Sequence, residues 1–151
     1  MCGEHRAHST DTATGPPASR SPGPRSPAEV REAVRQALDS ARRSRGPEAT
    51  ADATAVGDVL LVASELTTNA MLHGGGVTAF EVIPGDREVR LSVSDRSEEM
   101  PTPVRRTGTP GPLQIGGHGW PIICLLARDI MISILQAGGK RITAVVPLSP
   151  R

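Results

Sequence analysis

The feature that most constrains the fold is an apolar stretch that runs from Asp52 to His73 and stops at three consecutive glycines. Its apolar residues recur at three- and four-residue spacing, which predicts a helix with one buried face. The members of this stripe are Val56, Val59, Leu60, Ala63, Leu66 and Ala70. We therefore expect a long central helix around which the rest of the chain is organised.

The same stretch carries a row of polar residues. Glu65, Asn69 and His73 lie four apart, so they stack along one side of the predicted helix, at the border of its apolar face. A site that handles a charged ligand and its metal can use such a row. Taken alone, the row is more often a solvated border, so later stretches must decide between the two interpretations.

Composition excludes several classes of function. The 151 residues suffice for one domain with a core of its own. Seventeen basic and sixteen acidic residues leave a net charge of +1, which does not indicate the basic surface that nucleic-acid binding requires. Phe80 and Trp120 are the only aromatic residues, so stacking platforms are absent and the core must be aliphatic. We expect no direct nucleic-acid partner.

The two cysteines, Cys2 and Cys124, do not resemble a disulfide framework and favour a reducing cytosol. No apolar run approaches the length of a membrane span, and the N-terminus lacks the apolar core of a signal peptide. A cytoplasmic protein without membrane contact is expected.

The chain divides into a tail, a domain and a short C-terminal end. Residues 1–26 are rich in Ser, Thr, Gly, Pro and Arg, and we expect them to be disordered. The domain covers residues 27–148, and 149–151 form a C-terminal tail. Cys2, His5 and His8 could touch one metal, but three ligands on a flexible terminus make a poor zinc site.

Capping signals predict the first helix over residues 27–45. Ser26 is a typical N-cap, Pro27 suits the first helical position, and Gly46-Pro47 ends the pattern. Arginines in the last turn complement the helix dipole, and a partner-binding role for them is the weaker alternative.

Two antiparallel hairpins are predicted from alternating patterns and short turns. The first pairs residues 77–83 with 89–94, and the second pairs 130–135 with 141–146. Between the hairpins, an apolar helix is predicted from Trp120 to Ala127.

Residues 98–117 are proline-rich and show no helix or strand period, which is typical of a lid, a binding loop or a disordered segment. Gly116-Gly117-His118-Gly119 then precedes the apolar helix. Glycines before a helix start let backbone N–H groups approach an anion, although glycines also simply connect elements.

Three motifs occur in one order: SELTTNAMLHG at residues 64–74, VSDRSEEMP at 93–101 and GGHGWPII at 116–123. Together they resemble the GHKL superfamily of ATP-binding domains, shared by gyrase-type topoisomerases, histidine kinases and certain chaperones. The resemblance covers residues 28–148 and is closest to single-domain anti-sigma-factor serine kinases and their stand-alone relatives. It implies an α+β fold of Bergerat type, a two-layer sandwich whose mixed, mostly antiparallel sheet is covered on one face by helices.

The resemblance also implies roles for the helical residues. Asn69 would hold the Mg²⁺ that bridges the phosphates of ATP, since magnesium commonly takes only one or two protein ligands. Glu65 would orient or deprotonate the attacking hydroxyl as the catalytic residue. His73 would belong to the same ATP-binding row.

Further ATP-binding residues are implied outside the helix. Asp95 would accept a hydrogen bond from the adenine amino group, which would select ATP over GTP. Gly117 and Gly119 would approach the phosphates, with His118 between them near the lid.

The chain departs from the family pattern in two places. Asp95-Arg96-Ser97 stands where many members have Asp-x-Gly-x-Gly. The family often carries a Thr after Gly-Lys in its last strand, whereas Gly139-Lys140 is followed by Arg141, with Thr143 two residues further on. The sequence leaves open which of these two side chains, if either, reaches the nucleotide.

The resemblance implies a serine/threonine protein kinase that phosphorylates a serine of an antagonist (anti-anti-sigma) protein and regulates transcription by binding a sigma factor. The alternative, motivated by the missing glycines, is a nucleotide-gated binding module without useful catalysis. A histidine kinase is disfavoured because the one preceding helix, 27–45, contains no histidine. The resemblance also suggests a homodimer, for which the sequence shows no interface signature.

Overall fold

The computed structural model describes residues 6–9, 23–46, 52–101 and 119–148. This part of the chain forms three helices and five strands. The helices are α1 (Pro27–Arg45), α2 (Ala53–His73) and α3 (Gly119–Leu126). The strands are β1 (Arg6–Ser9), β2 (Val77–Pro84), β3 (Glu88–Asp95), β4 (Asp129–Ile134) and β5 (Lys140–Pro147).

The strands form one sheet in the order β1-β4-β5-β3-β2. β2 pairs with β3, β3 with β5 and β4 with β5, all antiparallel, whereas β1 pairs with β4 in parallel. The predicted α+β class and the mixed, mostly antiparallel sheet are confirmed, and both predicted hairpins are present within a residue or two of their expected bounds.

The helices pack on one face of this sheet and enclose an aliphatic core. α2 contacts β2, β3 and β5 as well as both other helices. The largest fully buried side chains of the described core come from both layers: Val30, Val34, Val59, Val62, Leu66, Val89, Leu91, Ile123, Ile132 and Val146. A two-layer sandwich with a core of Val, Ile, Leu and Ala is what the near absence of aromatic residues predicts.

Local capping explains where the two long helices begin. The Ser26 hydroxyl accepts a hydrogen bond from the Glu29 N–H at 3.2 Å, and the Asp52 carboxylate accepts one from the Ala55 N–H at 3.3 Å. Both acceptors satisfy N–H groups that the first helical turn leaves unpaired. The predicted limits of α1 and α2 are therefore confirmed.

The expectation of a disordered tail is wrong for Arg6–Ser9, which form β1 at the edge of the sheet. A strand can add to an exposed edge through backbone hydrogen bonds alone, so it needs no apolar pattern that the sequence would reveal. The other residues of the expected tail up to 22, the linker 47–51, most of the expected lid (102–118) and residues 149–151 lie outside the described residues.

The expectation of two reduced cysteines is also wrong, because Cys124 on α3 is disulfide-bonded. The chain's other cysteine, Cys2, lies outside the described residues. Sequence spacing cannot reveal that a distant thiol lies close in space. The cytoplasmic location stays a prediction, and it no longer has the support of two free thiols.

By length and composition alone, the 21 residues of α2 are enough to cross a membrane. The expectation from the sequence that no apolar run approaches this length is therefore wrong. Core helices of globular domains pass the same test. α2 packs against the sheet, α1 and α3, and Val59, Val62, Ala63 and Leu66 are buried there.

Candidate functional site

Two polar clusters lie along the C-terminal half of α2. The Asp95 cluster consists of Asp95, Ser97 and Lys140 with Gly74 and Gly139. The Glu65 cluster consists of Glu65, Asn69 and Gly119.

A buried ion pair forms the centre of the Asp95 cluster. Asp95 ends β3 and Lys140 begins β5, and the strand register places them opposite each other. The Lys140 Nζ lies 2.9 Å from Oδ2 and 3.0 Å from Oδ1 of Asp95, and both side chains are only 5% exposed. Each charge is removed from water and is compensated mainly by the other, so removal of either partner leaves a buried charge unpaired.

Ser97 completes the hydrogen bonding of this pair. Its N–H donates to Asp95 Oδ1 at 2.9 Å, and its carbonyl oxygen accepts from Lys140 Nζ at 3.2 Å. The Lys140 ammonium group thus donates two hydrogen bonds, to Asp95 Oδ1 and to the Ser97 carbonyl, and makes an ion-pair contact with Oδ2. Oδ1 accepts two hydrogen bonds, which occupy both of its acceptor positions, so an acceptor position remains on Oδ2. Ser97 contributes only backbone groups here, and the turn therefore forms without the glycines that many family members carry.

Two glycines allow other backbone segments to approach Asp95. A Cβ added at Gly74 would collide with the Asp95 side chain, lying 2.6 Å from Oδ2. Gly139 has a positive φ of 85°, and a Cβ there would collide with the Asp95 carbonyl oxygen. The Arg96 N–H also donates to the Gly74 carbonyl at 2.8 Å, which fixes the end of α2 against the end of β3.

The strand register shows which side chain of β5 reaches Asp95. Thr143 bonds the Ser92 hydroxyl at 2.9 Å, and Arg141 Nε lies 3.5 Å from Ser94 Oγ, so both are directed to the face opposite Asp95. Because side chains alternate along a strand, Lys140 lies on the other face. Sequence reasoning missed Lys140, although the alternation relative to residues 141 and 143 was a signal that could have found it.

The Glu65 cluster lies at the start of α3. Glu65 and Asn69 are one helical turn apart on α2 and are both half-buried. A Cβ added at Gly119 would lie 2.5 Å from Glu65 Oε2 and 3.3 Å from Asn69 Oδ1. The carboxylate and the amide oxygen therefore converge on the backbone at the first residue of α3, where only a glycine leaves them room.

The local charges of this cluster suit an anion accompanied by a cation. The positive end of the α3 dipole lies at Gly119 and favours a phosphate there. The Glu65 carboxylate beside it would repel that phosphate. A divalent cation between them would offset the repulsion, and amide and carboxylate oxygens are ligands that magnesium accepts.

The two clusters are separated by a distance that one ligand can cover. Gly74, which caps α2, follows Glu65 by nine positions, and this spacing corresponds to about 13.5 Å along the helix axis. A ligand with a hydrogen-bonding head and an anionic tail could therefore contact Asp95 and Gly119 at once.

A comparison with protein-family models agrees with this arrangement. The model of the histidine kinase-like ATPase domain matches residues 23–146, which include both clusters. The chain belongs to this family. The recognition of a GHKL-type domain is confirmed at that level, and the match does not extend to the anti-sigma kinase subtype. No curated protein matches the chain in sequence.

Membership of the histidine kinase-like ATPase family supports ATP as the ligand of these clusters. Glu65 and Asn69 lie beside Gly119, and Asp95 lies near the C-terminal end of α2. His73, predicted to join them, is the last residue of α2 and its side chain is exposed. Gly117 and His118 lie outside the described residues.

The residues of this site fit a magnesium ion, because Asn69 directs an amide oxygen at the N-terminus of α3. The described residues contain no group of three or more His, Cys, Asp or Glu side chains that could hold a metal by themselves. A magnesium ion here would therefore depend on phosphate oxygens and water for most of its ligands.

Proposed function

We propose that this histidine kinase-like ATPase domain is an ATP-dependent protein serine/threonine kinase of the anti-sigma type. It transfers the γ-phosphate of ATP to a serine of an antagonist protein and regulates transcription by binding a sigma factor. The observation that carries the proposal is the convergence of Glu65 and Asn69 on Gly119 at the N-terminus of α3.

Each residue of the Glu65 cluster has a chemical task in this proposal. The positive end of the α3 dipole attracts the phosphates, and Asn69 would supply an oxygen ligand to Mg²⁺, which would neutralise charge on them. Glu65 orients the serine hydroxyl and accepts its proton. The serine oxygen forms its bond to the γ-phosphorus as the bond from that phosphorus to the β,γ-bridging oxygen breaks, and ADP leaves.

The Asp95 cluster has the task of recognising the base. The free acceptor position on Asp95 Oδ2 takes a hydrogen bond from the adenine amino group. A guanine would present a carbonyl oxygen at this place, and two acceptors that face each other in a dry pocket, one of them charged, cost about 3 kcal/mol or more.

The partners and the location are part of the proposal. The proposed partners are a sigma factor and its antagonist protein, and the proposed location is the cytoplasm. The kinase itself is proposed to be a homodimer. The small net charge of +1 supports regulation through protein contacts without direct binding to nucleic acid.

A second candidate is a nucleotide-gated binding module that binds ATP without useful transfer. The observation that favours it is the position of the Glu65 carboxylate against the first residue of α3. A carboxylate is also favoured there by the positive end of the helix dipole, and a Glu65 held in place by the dipole would not be free to accept a proton.

The test mixes the protein with Mg²⁺, ATP labelled at the γ-phosphate and candidate antagonist proteins, and measures label on serine. We expect transfer by the wild-type protein and a loss of roughly 100-fold or more in Glu65→Gln, with ATP affinity retained. Glu81→Gln is the matched control, because Glu81 is exposed on β2. Equal transfer by wild type and Glu65→Gln contradicts the proposed role of Glu65. ATP binding without transfer to any antagonist favours the binding module.

A further inference from the structure

We propose that Lys140 sets the choice of base at this site: it holds Asp95 as an ionised carboxylate, so that the site accepts a purine with an amino group at C6 and rejects a 6-oxopurine. This inference rests on the proposed nucleotide site and adds a specificity-determining residue to it. The family resemblance had directed attention to Arg141 and Thr143, and both lie on the opposite face of the sheet.

The charge of Asp95 decides what the carboxyl group can recognise. An ionised carboxylate only accepts hydrogen bonds, whereas a protonated one also donates. An amino group at C6 is a donor and needs an acceptor, while a carbonyl at C6 is an acceptor and needs a donor. The same Asp95 would therefore favour an aminopurine when ionised and would tolerate an oxopurine when protonated.

Burial makes the ionised form dependent on Lys140. Asp95 lies at the end of a strand whose neighbouring inward side chain, Val93, belongs to the apolar core, and only 4% of Asp95 is exposed. Removing a charged carboxylate from water is costly unless an opposite charge compensates it. The Lys140 ammonium group, 2.9 Å and 3.0 Å from the two carboxylate oxygens, supplies that charge.

Lys140 acts through Asp95 and not by touching the base. Its ammonium group is buried, donates to Asp95 Oδ1 and to the Ser97 carbonyl, and lies 2.9 Å from Asp95 Oδ2, so its contacts are made inside the protein. Lys140 is therefore a positioning residue. It fixes the carboxylate together with Ser97 and leaves the one open acceptor position on Oδ2 for the amino group.

The test compares ATP with inosine triphosphate, which carries a carbonyl in place of the C6 amino group. Affinities are measured by calorimetric titration of the full chain with Mg²⁺ present. We expect the wild-type protein to prefer ATP by roughly 100-fold or more, because the oxopurine leaves buried polar groups unpaired. In Lys140→Met this preference should fall to about tenfold or less.

Three further variants keep the test falsifiable. Arg141→Met removes a positive charge one residue away on the other face, and the preference should stay unchanged. Lys140→Arg keeps the charge and should retain most of the preference. If Lys140→Met does not fold, Lys140→Gln replaces it, because its amide is neutral and can still donate hydrogen bonds. The preference for ATP should also fall to about tenfold or less in that variant.

The outcomes separate this inference from the proposed function. A wild-type protein that binds neither nucleotide contradicts the nucleotide site and this inference with it. A wild-type protein that prefers ATP, with a Lys140→Met variant that retains the full preference or binds ATP more tightly, contradicts this inference alone. Tighter binding would mean that Lys140 competes with the base for Asp95.

Discussion

The Asp95 and Glu65 clusters lie along the same half of one helix but are built in opposite ways. Asp95 and Lys140 are 5% exposed, and nearly all of their hydrogen-bonding capacity is used inside the protein. Glu65 and Asn69 are half-buried, and their oxygens are directed at the backbone of a glycine. The Asp95 cluster is therefore fixed by the fold, whereas the Glu65 cluster keeps side chains that can rearrange around a ligand.

This contrast predicts how stability and function are coupled in the two places. The Asp95–Lys140 pair joins β3 to β5, so the same contact both holds the sheet and shapes the proposed recognition site. The Glu65 cluster holds no comparable contact between strands. Substitutions in the first cluster should lower stability and binding together, and substitutions in the second should lower function alone.

The largest effect on stability is expected for Asp95→Ala. It leaves the Lys140 ammonium buried without a partner, which should lower the free energy of unfolding by about 3–5 kcal/mol. Urea denaturation measures this change in the free energy of unfolding. Asp86→Ala is the control, because its ion pair with Arg45 is 91% exposed on the Asp86 side and should change stability by less than about 1 kcal/mol. Equal losses in the two variants would show that the buried Asp95–Lys140 pair stabilises the fold no more than a surface ion pair does.

A smaller loss is expected for Gly139→Ala, compared with Gly138→Ala. Gly139 has a φ of 85° and Gly138 a φ of 94°, and alanine disfavours this backbone conformation. Each substitution should therefore lower the free energy of unfolding by about 1 kcal/mol for this reason alone. Only at Gly139 would the new methyl group collide with the Asp95 backbone, whereas Gly138 has open space. We expect Gly139→Ala to cost about 2–3 kcal/mol in thermal or urea denaturation. Equal costs would show that Asp95 is not held tightly at this turn.

The smallest effect on stability, with a large effect on function, is expected for Gly119→Ala. The new methyl group would meet Glu65 Oε2 at 2.5 Å, and this atom is the end of a flexible side chain that can move away. The loss of stability should stay below about 1 kcal/mol, while the displaced carboxylate should slow phosphate transfer roughly 100-fold. Gly57→Ala on α2 has open space around it and serves as the control, with transfer unchanged. A severe loss of stability in Gly119→Ala would place this cluster in the same class as the Asp95 cluster.

What could be predicted from the sequence follows the range of the interactions involved. α1 was predicted with its observed bounds because Ser26 and Gly46 act within one helical turn. The row of Glu65 and Asn69 was found for the same reason, since helical spacing is local.

What was missed depends on contacts between distant parts of the chain. Lys140 lies 45 residues from Asp95, and only the strand register brings them together. β1 was missed because a polar edge strand needs no apolar alternation. The bonded state of Cys124 was missed because sequence spacing does not report distance in space.

The central claim is that the two clusters bind opposite ends of one nucleotide, with Asn69 at the metal-bound phosphates. Calorimetric titration of Mg-ATP into the wild-type protein and into Asn69→Ala tests it most directly. We expect saturable binding by the wild-type protein and binding at least about tenfold weaker in Asn69→Ala, with the free energy of unfolding within about 0.5 kcal/mol of the wild-type value. A folded wild-type protein that gives no binding signal, or an Asn69→Ala variant with the same affinity, would contradict the claim.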